Sequence, residues 1–140
     1  MTIAAVLLGA AILAFAAWVR LAPSDPAVWH VTPTVEGSRD EVQAAAGAAT
    51  LRLSLAKGAP AELLAKLDAL ATASPRTVRL AGDVTEGRIT WVTRSALWGF
   101  PDYITAEVRE DGLYVLSRLR FGENDMGVNA ARLRDWLSRL

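Results

Sequence analysis

The residues able to do chemistry crowd into one stretch of this 140-residue chain. Ser117 to Arg132 reads Ser-Arg-Leu-Arg-Phe-Gly-Glu-Asn-Asp-Met-Gly-Val-Asn-Ala-Ala-Arg. Arg118, Arg120 and Arg132, with Arg94 upstream, have the planar guanidinium that grips phosphate or carboxylate through two parallel hydrogen bonds. A helix beginning after Gly127 would aim free backbone N–H groups at the same anion. Arg94, Arg118, Arg120, Arg132 and Asn129 are therefore the candidate anion-binding set. The competing reading is structural. Gly122 and Gly127 permit backbone angles that other residues resist, Asp125 or Asn129 caps the last helix, and Asp102 pairs with a guanidinium across a sheet. A hydrolytic reading has less behind it. Ser117 with Asp102 or Asp125 needs a base, and the single histidine, His30, lies in a proline-rich segment. A pair of carboxylates drawn from Asp102, Glu123 and Asp125 would serve acid–base chemistry, but no spacing marks one.

Composition narrows the classes further. Fifteen basic and fifteen acidic residues give zero net charge, so no basic excess calls for nucleic acid. The absence of cysteine removes disulfides, thiolate metal sites and cysteine nucleophiles, and one histidine cannot build a multi-histidine metal centre. Neither a metal nor another cofactor is expected. Apart from Lys57 and Lys66, every basic residue is arginine.

Positioning the cluster falls to a run of strand and helix patterns. Leu51, Leu53 and Leu55 alternate with polar residues as in a half-buried strand. Pro60 stands at the first turn of a helix whose Leu63, Leu64, Leu67 and Leu70 share a face, ended by Ser74-Pro75. Strands are predicted over Thr77–Leu80, Arg88–Arg94, Tyr103–Arg109 and Leu113–Phe121. The last two form a hairpin at Glu110-Asp111-Gly112, where Asp-Gly suits positive φ. A final helix carries Leu133, Trp136, Leu137 and Leu140 on one face. The expected fold is α+β, an antiparallel sheet of four or five strands with two packing helices. Ser38-Arg39-Asp40-Glu41 has capping-box spacing, so the Ala-rich stretch to Ala49 is read as a short helix within a linker, residues 23–50, ahead of a domain at 51–140.

Residues 1–22 are read as a transmembrane anchor. No charge interrupts Ile3 to Val19. About 20 residues of helix span about 30 Å, the thickness of a bilayer core. Trp18 and Arg20 supply the interfacial ring and the snorkelling cation. A cleaved signal peptide competes, since Ala14-Phe15-Ala16 resembles a small-x-small site, although the basic n-region is missing. A buried core helix is the third reading, against which the run has no polar face. Arg20 alone weakly favours a cytoplasmic domain. Trp18, Arg20, Trp29 and Trp98 are candidate contacts with lipid or a partner.

Phe100-Pro101-Asp102 together with Ser117-Arg118, Gly122, Asp125, Gly127-Val128-Asn129 and Arg132 resembles the bacterial and plastid family catalogued as domain of unknown function 1499. The resemblance reaches from about Leu51 to Leu140 and is specific at the C-terminal end. It marks Phe100, Asp102, Ser117, Gly122, Asp125 and Gly127 as its structural motif. Two positions depart from the pattern: Ala130 stands where a basic residue is usual, and Leu119 where a second serine is common. Both weaken a catalytic reading of the cluster. The resemblance implies a domain at the bacterial inner membrane, facing the periplasm, and no reaction. The expected function is a single-pass, non-enzymatic accessory protein held by residues 3–22 in lipid beside a larger membrane complex. The alternatives are a binding module for a small anionic or amphipathic ligand, such as a lipid headgroup, and a hydrolase.

Overall fold

The computed structural model describes Thr2 to Leu140. Helix α1, Ile3–Leu21, precedes a single turn, α2, Pro26–Trp29. Six strands follow: β1 (Gln43–Ala45), β2 (Ala48–Ser54), β3 (Thr77–Asp83), β4 (Arg88–Arg94), β5 (Pro101–Arg109) and β6 (Gly112–Leu119). Helix α3, Pro60–Ala73, sits between β2 and β3, and α4, Val128–Leu137, closes the chain. The class is α+β, and every strand pairing is antiparallel, in the order β1-β2-β6-β5-β4-β3. The sheet has six strands rather than four or five.

The additional strand comes from the region expected to be helical. Gln43–Ala45 and Ala48–Ser54 form a hairpin turning at Ala46–Gly47, and no helix forms between Ser38 and Ala49. Alanine favours helix when nothing else decides. Here Ala49, Leu51 and Leu53 alternate into the core beside β6, and that burial outweighs local propensity. Gly47 turns under Leu119, whose side chain lies 2.9 Å from where a Cβ would stand. Asp40 caps no helix. Its carboxylate accepts the backbone N–H of Ser54 at 2.8 Å and the Ser54 hydroxyl at 2.7 Å, pinning the end of β2. Those bonds hold its pKa below the ordinary carboxylate value.

The Asp-Gly signal also works differently from its expected role. The β5–β6 hairpin exists, but its loop residues are Glu110 and Asp111, neither at positive φ. Gly112 already lies in β6, opposite both Arg109 and Ser54. A Cβ there would fall 2.0 Å from the Leu53 carbonyl oxygen. Close approach of β2 therefore requires the glycine.

Period-two alternation places Leu51, Leu53, Ile89, Trp91, Ile104, Ala106, Leu113 and Val115 on one face. Helix α3 covers it with Leu63, Leu64, Leu67 and Ala71, and α4 with Ala130, Leu133 and Trp136. Trp91 and Trp136 meet edge to face, 6.2 Å between centroids. Each indole N–H finds a partner: Asp68 at 2.9 Å for Trp91, the Ser74 hydroxyl at 3.1 Å for Trp136. The opposite face holds Thr90, Val92, Tyr103 and Thr105, buried in turn by the chain between Val19 and Pro33.

Candidate functional site

The sheet divides the sequence-predicted residues between two faces. Ser117 on β6 and Asp102 on β5 lie on the helical face, beneath the first turn of α4. Ser117 and Asn129 are fully buried. The Ser117 hydroxyl donates to Asn129 Oδ1, and Arg132 Nη1 donates to the same oxygen at 2.7 Å and to Ser117 Oγ at 3.2 Å. Arg132 Nη2 reaches the Asp102 carboxylate at 3.0 Å. Asn129 Nδ2 donates to Asp125 at 2.7 Å. Asp125, two residues ahead of the N-cap Gly127, also accepts the backbone N–H groups of Gly127 and Asn129, at 3.0 and 2.8 Å, and so occupies free donors at the start of α4. Gly127, at φ 80°, supplies the left-handed step into the helix.

Within this cluster the two carboxylates are tuned in opposite directions. Burial pushes the Asp102 carboxyl above its ordinary value, with Arg132 pulling it back. Burial also pushes at Asp125, but the hydrogen bonds from Asn129 and Gly127 outweigh it and hold that carboxyl low. The cluster is closed: each side chain has its partner in a neighbour, and Arg132 is spent on Asp102, Ser117 and Asn129. Such a constellation fixes how α4 sits on β5 and β6.

The other three arginines lie on the far face. Arg118 stacks its guanidinium over Trp29, 4.7 Å from the ring centroid, and burial lowers its pKa. Trp29 lies flat on Tyr103, at 3.8 Å and 9°. Arg120 donates to the Pro23 carbonyl at 2.9 Å and to the Tyr103 hydroxyl at 3.2 Å. Arg94 donates to the Gly99 carbonyl at 2.9 Å. Arg94, Arg118, Arg120 and Arg132 thus form no single anion site, because the sheet stands between Arg132 and the rest. Gly122 sits at φ 94° in the exposed β6–α4 loop with nothing within 4 Å of a Cβ position.

His30 belongs to the same far face. Its Nδ1 lies 2.9 Å from the Thr90 hydroxyl, which in turn meets the Thr105 hydroxyl at 2.8 Å. Ser117 and His30 are on opposite sides of the sheet, so no Ser-His-Asp arrangement forms. Among the described residues there is no group of three or more His, Asp or Glu placed to hold a metal ion.

A family model described as "Protein of unknown function (DUF1499)" matches residues 24–140. The chain belongs to the DUF1499 family. No curated protein and no solved structure matches it. The match begins at Ser24, whose hydroxyl lies 2.7 Å from that of Tyr103. The DUF1499 match therefore includes the segment that covers the far face.

Helix α1 is long and apolar enough to cross a membrane, and only 11% of its most apolar window is buried. It is no core helix. Its C-terminal end is fastened to the DUF1499 domain. Val19 is fully buried. Arg20 Nη2 donates to the Leu97 carbonyl at 2.7 Å. Phe15 meets Phe100 at 6.2 Å and Trp18 meets Phe121 at 5.1 Å between centroids. Trp98 is half exposed beside them and, with Ala11, Ile12, Phe15 and Phe100, lines an apolar groove of ≈ 300 Å³. The sequence marked Trp18, Arg20, Trp29 and Trp98 one by one. It held no sign that Tyr103 and Phe121 would join them, because those positions read as ordinary strand residues.

Proposed function

We propose that this DUF1499 protein is a non-enzymatic accessory protein of a larger membrane complex, held in the bilayer by α1. The observation that carries the reading is the fastening of α1 to the domain. A helix serving only as a leash needs no contacts with what it tethers. This one is locked by the burial of Val19, the Arg20–Leu97 and Arg120–Pro23 hydrogen bonds and the Phe15–Phe100 and Trp18–Phe121 pairs. Locking fixes the domain's orientation and leaves Leu97, Trp98 and the length of α1 open to neighbours. The closed hydrogen bonding of the polar cluster supports a role without catalysis.

Mild-detergent extraction of the full chain from its own membranes, at native expression level, tests this. The expected result is co-elution with a larger assembly, reduced by Trp98→Ala with the domain still folded. Recovery solely as a free monomer refutes the proposal.

A further inference from the structure

Three arginines from three distant parts of the chain line one groove of ≈ 480 Å³ at the domain end of α1. Arg20 comes from α1, Arg76 from the turn between α3 and β3, and Arg94 from the end of β4. Ser95, Ala96 and Gly99 complete much of the wall, and no acidic residue lines it. The ion pairs among the described residues engage Arg39, Arg52, Arg79, Arg88, Arg109, Arg132 and Arg139, and none of these three.

Each of the three spends only part of its guanidinium on the fold. Arg20 uses Nη2 on the Leu97 carbonyl, Arg94 uses Nη1 on Gly99 and Val19, and Arg76 uses Nε on the Arg94 carbonyl at 3.0 Å. Of five N–H donors per guanidinium, the remaining ones take no hydrogen-bond partner among the described residues. Arg76 stands at φ 56°, a left-handed conformation that a residue with a Cβ seldom adopts. Three like charges around one groove repel one another, and an anion among them relieves that repulsion.

We infer that this groove binds the phosphate of an anionic phospholipid. The site differs from the arginine set marked by the sequence: Arg118, Arg120 and Arg132 have no part in it, and Arg76 is new. Its position selects a lipid over a soluble anion. A 19-residue helix rising about 1.5 Å per residue covers about 28 Å, close to the bilayer core, so Arg20 stands at headgroup level. The loop between β4 and β5 is a wall of two grooves. Ser95, Ala96 and Gly99 face the arginines, while Trp98 and Phe100 face the apolar groove with Ile12 and Phe15. Ile12 lies eight residues before Arg20, about 12 Å deeper along α1. A charged groove at headgroup depth and an apolar one at chain depth match the two ends of one phospholipid.

The inference rests on α1 lying in a bilayer. Native mass spectrometry of the full-length chain, released from mild-detergent micelles and titrated with phosphatidylglycerol or phosphatidylcholine, tests it. Wild type should retain one phosphatidylglycerol at least tenfold better than phosphatidylcholine. Arg76→Asn should lower that retention about tenfold. Asparagine tolerates the left-handed backbone, so the fold should survive, and an unchanged near-ultraviolet circular dichroism spectrum checks this. Arg134→Gln, on the exposed side of α4, should change nothing. Equal retention of the two lipids by wild type overturns the inference, and that comparison needs no variant. So does full retention by Arg76→Asn. Displacement of phosphatidylglycerol by an equal concentration of inorganic phosphate would show a soluble-anion site and refute the lipid. Failure of lipid discrimination in a chain that still resists alkaline extraction leaves the anchored accessory reading intact. Loss of the chain to alkaline extraction removes the premise of both.

Discussion

Truncating Asn129 to alanine separates a structural cluster from a working site. Asn129 Oδ1 accepts from Ser117 and from Arg132 at 2.7 Å, and its Nδ2 donates to Asp125 at 2.7 Å. After truncation Asp125 keeps its two backbone N–H donors and Arg132 keeps Asp102. The loss therefore concentrates on the Ser117 hydroxyl, which is fully buried and left with Arg132 at 3.2 Å as its sole partner, a donor that cannot accept its proton. An orphaned buried hydroxyl costs about 1–3 kcal/mol, and removing the hydrogen bond to a charged guanidinium costs about 1.5–3 kcal/mol more. Partial overlap of the two places the total near 3 kcal/mol. With a urea slope of about 2 kcal/mol per molar, the midpoint should fall by about 1.5 M. The assay is urea unfolding of the full chain in detergent, read from tryptophan fluorescence, since the paired Trp91 and Trp136 report the core. A midpoint within about 0.25 M of wild type would refute the reasoning. It would mean that the asparagine is dispensable to the fold and kept for some other purpose.

The remaining predictions concern the turn, the strap over the far face and the response to acid. Gly112→Ala forces a Cβ to 2.0 Å from the Leu53 oxygen and should cost more than 3 kcal/mol or prevent folding, whereas Gly122→Ala, with open space around it, should cost only about 1 kcal/mol of backbone strain. Comparable urea midpoints for the two would contradict this. Trp29→Ala removes the ring held between Tyr103 and Arg118, at about 2–3 kcal/mol, and should raise hydrogen exchange in residues 23–34 while sparing β6. Unchanged exchange there would show that the stack does not hold the strap. The folded pKa of Asp125 lies below its unfolded value, so its stabilisation is present above about pH 4 and lost as pH falls through the folded value. The cost of Asp125→Asn should accordingly fade in acid. Asp102 is raised instead, so the folded chain takes up that proton first, and wild-type stability declines as pH climbs between the two values. The cost of Asp102→Asn should therefore be greater at pH 3 than at pH 7. Parallel pH profiles for the two variants would contradict the assignment.

Where burial and local periodicity pointed the same way, the sequence revealed the structure. Leu63, Leu64 and Leu67 in α3 and Ile104 and Ala106 in β5 repeat at the period of their own element and enter one core. Where the two conflicted, strand pairing and burial prevailed, as at Ala48 and Ala49, whose composition favours helix but which pair with Arg118 and Ser117 of β6, with Ala49 buried in the core. The polar cluster was half legible. Asp125 as an acceptor at the start of the last helix and Asp102 as an arginine's partner follow from spacing and charge, whereas the N-cap itself is Gly127 rather than Asp125 or Asn129. That Arg118 and Arg132 lie on opposite faces does not, since it depends on how α4 folds back over the sheet.

The far face was the least legible part, for a physical reason. Nothing in Pro23–Pro33 repeats at a helical or strand period, so the segment reads as a spacer. Yet Trp29 stacks on Tyr103, His30 meets Thr90, and the Pro33 carbonyl takes a hydrogen bond from Arg109 at 2.8 Å. An extended strap that buries a sheet face by isolated anchors leaves no periodic trace. Its consequence reaches α1, because Arg120 and Tyr103, which hold Pro23 and Ser24, fix the direction in which the chain leaves the domain. The strap carries that direction into α1, while Arg20 and Arg94 hold the loop beside it. A helix aimed by the sheet itself presents the same flank of the domain to its surroundings in every copy. The same fixed presentation sets Arg20 of α1 into one groove with Arg76 and Arg94 of the domain.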